Sequence, residues 1–294
     1  MIDLEPVKKC LRVSPTLYRN VYKLYRATPF GRTRADQIHQ ESTELLHMRL
    51  ESEARLIREY LNDDWTVRHG PFTGMRYAAM SSGSLLSPKV IGSYESPIHS
   101  WIMDAIKHDY DNILNVGCGE GYYAVGFSLK SPSSRIYAYD IDDEARENTA
   151  TLAHLNNVAD RILIRSLCTK EDLRREIAKE TLIFCDIEGG ELDLFRPDLV
   201  TELSRADLII ELHDFCCPGA TEVLRRRFHP SHRIEITYHC AKYANDFPVL
   251  EGIPIREQAF LLEEARPVTQ GWMRLLANRP GALQPEPGQW WQLE

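Results

Sequence analysis

Two periods of apolar spacing divide the chain. Up to about residue 66 the spacing is helical. Ser14 and Pro15 have the form of an N-cap followed by a first-turn proline, and Leu17, Val21 and Leu24 then recur at intervals of four and three. The stretch 34–61 contains neither proline nor glycine, and Leu46, Leu50, Ala54, Ile57 and Leu61 form one stripe, which predicts a long helix ending near Asn62, Asp63 and Asp64. Such a stripe usually serves packing, so residues 1–66 are expected to form a helical region that caps the remainder or joins two copies in a homodimer. Residues 67–97 are punctuated by Gly, Ser and Pro, as in Gly70-Pro71-Phe72 and Ile91-Gly92-Ser93-Tyr94-Glu95, and predict loops and short strands.

From residue 97 onward the pattern alternates. Strands are predicted at 112–116, 135–139, 161–166, 182–185 and 207–212, and helices at 97–108, 122–129, 143–156, 170–179, 191–203 and 221–228. Strands separated by helices imply right-handed crossovers and a parallel sheet covered on both faces. Two further strands, 233–239 and 272–277, predict an antiparallel edge, with a weak helix at 257–264 between them. The expected fold is α/β: a Rossmann-like, seven-stranded, mostly parallel sheet with an antiparallel final strand, occupying a domain over 67–294.

Composition narrows the class without changing this outline. With 43% hydrophobic and 27% charged residues, the 294-residue chain reads as globular, which excludes collagen-like or disordered types. No run of 18 apolar residues occurs, and Lys8, Lys9, Arg12, Arg19 and Lys23 interrupt the first thirty residues, so neither a membrane span nor a secretory signal is expected. The seven cysteines contain no CxxC pair; a reduced, cytoplasmic protein is the expectation. The net charge is −8, and residues 1–35 carry +6 from eight Lys or Arg against Asp3 and Glu5, leaving −14 on the rest. An acidic body argues against nucleic acid as partner and leaves a small molecule.

The chemistry begins directly after the first predicted strand, at Asn115-Val116-Gly117-Cys118-Gly119-Glu120-Gly121. Glycines there let backbone N–H groups approach a ligand, and the helix starting at Tyr122 favours an anionic group at its N-terminus. A dinucleotide fingerprint wants GxGxxG, whereas here the third glycine falls one residue early, at Gly121 with Tyr122 behind it. Asp140 ends the second strand, nineteen residues beyond Gly121, where a carboxylate can accept hydrogen bonds from both ribose hydroxyls. The ligand expected is a nucleoside; the alternative for Asp140 is a helix N-cap.

A GxGxG loop, an acidic residue ending strand two and seven strands finishing in a hairpin resemble the class I S-adenosylmethionine-dependent methyltransferases over roughly residues 98–278. Asp186-Ile187-Glu188-Gly189-Gly190-Glu191 after strand four and Glu211-Leu212-His213 after strand five resemble the DxEGxE and ExH signatures of the FkbM-type members, many of which methylate hydroxyl groups of sugars and secondary metabolites. That family usually has an acidic residue at position 115 and Asn at 119; this chain has Asn115 and Gly119. The resemblance implies S-adenosylmethionine as cofactor. By the same likeness Gly117, Gly119 and Gly121 line its methionine part, with Asn115 offering a hydrogen bond. Asp140 then holds the ribose, Ile141, Leu167 and Cys168 flank the adenine, Asp186 borders the cofactor and Glu95 closes over it. The alternative for Glu95 is a surface carboxylate.

Asp186 and Glu188 are two apart, as are Glu211 and His213, so each pair faces one side in strand geometry, at strand ends beside the expected topological switch. His213 is the expected general base, because an imidazole titrates near neutral pH, with Glu211 or Asp186 orienting it or anchoring the acceptor. The same three residues also make a plausible divalent-metal set, and a third alternative has His213 merely capping its strand. Three functions compete at this point: methyl transfer to a small molecule, most simply at oxygen; another reaction of the same sulfonium, such as aminocarboxypropyl transfer or cyclisation; and a non-catalytic binding or scaffolding role.

Overall fold

The computed structural model describes residues 47–279 except 83, 178, 179 and 267. The expected helix near Ser14, the first part of the 34–61 helix and the homodimer contact lie outside the described residues. The first described element is α1, residues 47–60, which buries Ala54, Leu56 and Ile57, with Leu61 just beyond it. These side chains share one apolar cluster with Phe72, Tyr122 and Phe127. Buried Glu53 accepts from Leu86 N and Ser87 Oγ, each at 2.8 Å, and so closes the N-terminus of α2, Ser87–Ile91, from a distant part of the chain.

The alternating region is present as expected: α3 (His99–His108), β1 (Asn112–Val116), α4 (Tyr122–Lys130), β2 (Arg135–Tyr139), α5 (Asp143–Leu155), β3 (Ile162–Arg165), α6 (Lys170–Glu176) and β4 (Thr181–Cys185). Beyond these come α7 (Glu191–Leu194), α8 (Val200–Leu203), β5 (Asp207–Leu212), α9 (Ala220–Phe228), β6 (His232–Tyr238), α10 (Ile255–Leu262) and β7 (Gly271–Ala277). The single helix expected over 191–203 is instead two short ones with a 3-10 turn, Pro197–Leu199, between them. Pro197 has no N–H, and its ring would clash with a carbonyl one turn back, so the helix cannot run through it.

One seven-stranded sheet results, in the order β3-β2-β1-β4-β5-β7-β6. The first five strands pair parallel, and β7 is antiparallel to both neighbours. The hairpin expected at an edge therefore inserts its last strand between β5 and β6. Every residue of β1, β4 and β5 is buried, as a sheet covered on both faces requires. Ile113 points into one apolar layer, while Leu114 and Val116 point into the other. The chain leaves β1 toward β2 on one side and later returns to β4 on the other, so a crevice opens at the carboxyl ends of β1 and β4. Among the described residues no helix is long and apolar enough to cross a membrane.

Candidate cofactor and active site

The loop after β1 is folded back on β2: Gly117 N and Cys118 N both donate to Tyr139 O, at 2.8 and 2.9 Å. Gly117 (φ 78°) sits where a Cβ would lie 1.6 Å from Asp186 O, so only glycine lets β1 and β4 end this close together. Gly119 N donates to Asp140 Oδ2 at 2.9 Å, and Asp142 N to Asp140 Oδ1 at 3.0 Å. The N-cap of α5 is Asp142, which accepts from Glu144 N; Asp140 is free of that duty. A carboxylate has about four lone-pair sites, so Asp140 keeps capacity for a sugar's hydroxyls.

Glu120, inside the same loop, is buried. It accepts from Tyr77 Oη and, at 3.0 Å, from Ser82 N, and it is ion-paired with Lys89 of α2. Burial alone would raise its carboxyl; Lys89 and the hydrogen bonds hold it below the usual range. The segment before α3 is thereby fastened to the glycine loop. Gly121 instead packs on Thr149 of α5, and a Cβ there would meet that side chain at 3.0 Å.

Two cavities meet at the strand ends. The larger, about 660 Å³, is lined by Gly117, Asp140, Ile141, Leu167, Cys168 and Asp186 among others. Ile141 is 78% and Leu167 61% exposed, two large aliphatic side chains left in water at the mouth of a cavity, where a flat apolar ring would cover them. Burial pushes the Cys168 thiol up to about 12. The smaller cavity, about 370 Å³, shares Gly117, Asp186 and Glu188 with the first and adds Gly119, Tyr94, Phe184, Phe215, Glu211 and Arg266.

His213 stands behind this second cavity and is wholly buried. Its Nδ1 meets Glu191 Oε1 at 2.8 Å; its Nε2 faces Asp186 Oδ1 at 3.4 Å, Glu211 Oε2 at 3.5 Å and Glu188 Oε2 at 3.6 Å. Burial would lower the imidazole's pKa, but Glu191, Glu211 and the charge of Asp186 outweigh it and lift it to about 11. These neighbours draw the ring away from the near-neutral titration on which its expected role as base rested. Burial and Glu211 push the Asp186 carboxyl well above its ordinary value, while Glu211, despite its burial, is held below its own by His213 and Arg266.

Glu95 is buried in the left-handed region (φ 50°) and lines neither cavity. It is no surface carboxylate: it accepts from Tyr123 Oη and pairs with Arg266 Nη2 at 2.6 Å, and burial pushes it up to about 7. Arg266 also reaches Glu211 Oε1 at 2.5 Å and Glu264 Oε2 at 2.8 Å. Asn115 is buried in β1, its amide oxygen and nitrogen both without hydrogen bonds, and it too lines neither cavity. Sequence reasoning brought Asp140, Ile141, Leu167, Cys168, Asp186, Glu211 and His213 to this crevice. It missed the roles of Lys89, Glu120, Glu191, Glu264 and Arg266; only Glu120 and Glu191 carried a signal, since both lie inside the motifs.

Residues 100–210 match the family model of ribosomal protein L11 methyltransferase (PrmA). No curated protein matches the chain in sequence. Among solved structures, the "delta-N METTL16 MTase domain" is 16% identical with a TM-score of 0.47, over 77% of this chain and 96% of that one. A human methyltransferase 10 domain containing protein is 15% identical with a TM-score of 0.45, over 78% and 97%. A methyltransferase from Geobacter sulfurreducens is 18% identical with a TM-score of 0.38, over 60% and 75%. The sheet order with its reversed β7, the glycine loop after β1 and the match over residues 100–210 are those of the S-adenosylmethionine-dependent methyltransferase class.

Proposed function

We propose that the protein transfers the methyl group of S-adenosylmethionine to a hydroxyl of a small molecule, as FkbM-type enzymes of sugar and secondary metabolism do. The observation that carries this reading is the joining of two cavities at Gly117, Asp186 and Glu188, one apolar-mouthed with Asp140 at its wall, the other enclosed by aromatic and carboxylate side chains. In the first, Ile141 and Leu167 would hold the adenine and Asp140 the ribose; Gly117 and Gly119 would leave room for the methionine end. The cofactor supplies an electrophilic methyl group on a sulfonium.

The second cavity, about 370 Å³, has the volume of a small-ligand site. Its carboxylates, Asp186, Glu188, Glu211 and Glu264, disfavour a polyphosphate backbone and suit a neutral, hydroxylated acceptor. Asp186 and Glu211 would anchor the acceptor oxygen at the junction, and His213, locked by Glu191, would hold those two carboxylates in place. Glu188 lines both cavities and keeps its side chain largely in solvent, so it can take the acceptor's proton and pass it to water. Alignment supplies much of the acceleration in such a displacement.

The test is to incubate the full chain with methyl-labelled S-adenosylmethionine and a cell extract divided into small-molecule, RNA and protein fractions. Label in an oxygen-methylated small molecule, with S-adenosylhomocysteine as the spent cofactor, is expected. Label on RNA or protein would overturn the acceptor class, and methylthioadenosine as the spent form would overturn methyl transfer itself.

A further inference from the structure

We infer that Asp186, Glu211 and His213 form a binding site for one divalent cation of the Mn²⁺ or Fe²⁺ type, set in the inner wall of the smaller cavity.

The spacing is the first argument. Each residue offers one donor atom, and the three atoms lie within 4.8 Å of one another. His213 Nε2 is 3.4 Å from Asp186 Oδ1 and 3.5 Å from Glu211 Oε2. A hydrogen bond would close to about 2.7–3.2 Å. Two ligands each about 2.1 Å from a shared octahedral ion stand about 3.0 Å apart when adjacent and about 4.2 Å apart when opposite. The observed separations lie beyond a hydrogen bond and between these two values, so a small closing movement would bring the atoms onto one ion.

A second observation is independent of the spacing. His213 Nε2 and Asp186 Oδ1 are buried and make no hydrogen bond. Buried polar atoms are almost always partnered, and these two are aimed at the same point. Nε2 faces three carboxylates at 3.4–3.6 Å without hydrogen-bonding to any of them, and a cation among them would satisfy all four groups at once.

Each of the three residues is also oriented from behind or placed by the sheet. Glu191 Oε1 accepts from His213 Nδ1–H at 2.8 Å, so that Nε2, once a cation takes the place of its proton, is the ring atom left to face the carboxylates as a ligand. Arg266 occupies Glu211 Oε1 and leaves Oε2 toward the same point. Asp186 is fixed by the close approach of β4 to Gly117. One imidazole with two carboxylates and no thiolate suits Mn²⁺ or Fe²⁺ better than a thiol-loving ion, and Mg²⁺ seldom takes imidazole. Asp186 and Glu211 line the cavity, so the remaining coordination positions open onto it. Given the methyl-transfer reading, the cation would take the acceptor's hydroxyl oxygen and make its proton easier to lose; the site itself does not depend on that reading.

The full chain, stripped with EDTA, is titrated with Mn²⁺ while the free-ion signal is followed by electron paramagnetic resonance; S-adenosylhomocysteine binding to the same samples is measured by calorimetry. One equivalent of Mn²⁺ bound by the unaltered chain is expected, with at least about tenfold weaker binding in His213→Gln and in Glu191→Gln, the second of which removes no ligand. No stoichiometric Mn²⁺ binding, or binding that both substitutions leave unchanged, would overturn the site. Mn²⁺ binding without any S-adenosylhomocysteine binding would support the site while removing the methyltransferase reading.

Discussion

Gly117 and Asp186 touch through their backbones: the amide of Asp186 donates to Val116 O at 2.9 Å, and a methyl group on Gly117 would reach to 1.6 Å from the Asp186 carbonyl. The loop proposed to hold the cofactor and the carboxylate proposed to hold the acceptor are therefore one rigid unit. On that proposal the β1–β4 pairing would set the alignment of the two ligands before either binds.

Gly117→Ala should break this unit. The left-handed backbone alone costs a side chain about 1–2 kcal/mol, and the contact with Asp186 adds to that. Thermal unfolding should move down, and S-adenosylhomocysteine affinity measured by calorimetry should fall at least about tenfold, or about 1.4 kcal/mol. A variant with unaltered affinity would show that β1 and β4 need not approach this closely.

Lys89 and Glu120 are both nearly wholly buried, so removing one leaves the other charge stranded. Lys89→Met should destabilise the protein by about 3–5 kcal/mol in urea unfolding, and Lys89→Met combined with Glu120→Gln should recover part of it. Equal losses in the single and double variants would mean that shape, not charge, accounts for the pair.

His232 supplies a pH dependence remote from the crevice. The ring is buried; in its neutral form Nε2–H donates to Ala206 O and Nδ1 accepts from the Ser231 hydroxyl, each at 2.9 Å. Burial holds its pKa below the ordinary histidine value. The unfolded chain therefore binds more protons than the native one between the folded value and about 6.5, so this contribution is complete above about 6.5 and is lost as pH falls toward the folded value. Urea unfolding at pH 5, 6 and 7 should give a shallower loss of stability in His232→Gln than in the unaltered chain. The difference should not exceed one proton, about 1.4 kcal/mol per pH unit. Parallel slopes would contradict this.

Local pattern carried the sheet well, because each strand is a short apolar run bounded by helix signals: β1, β2 and β5 fall at their expected residues. The glycine loop and Asp140 were legible for the same reason, being adjacent to strand ends. The features that escaped depend on long separations. Arg266 reaches Glu95 across 171 positions, and Lys89 reaches Glu120 across 31, with nothing local to announce either contact. The insertion of β7 beside β5 is likewise a matter of pairing partners, which alternation along one strand cannot specify. For His213 the motifs gave the neighbours, but that Asp186, Glu188, Glu191 and Glu211 all converge on one buried ring depends on how the ends of β4, β5 and α7 meet in space.

Calorimetric titration of S-adenosylhomocysteine into the full chain and into Asp140→Ala tests the central claim, that the crevice beyond β1 and β2 holds an adenosyl cofactor. One site per chain is expected, weakened at least about tenfold when the Asp140 carboxylate is gone. No heat of binding at millimolar ligand, or equal affinity in both proteins, would contradict it.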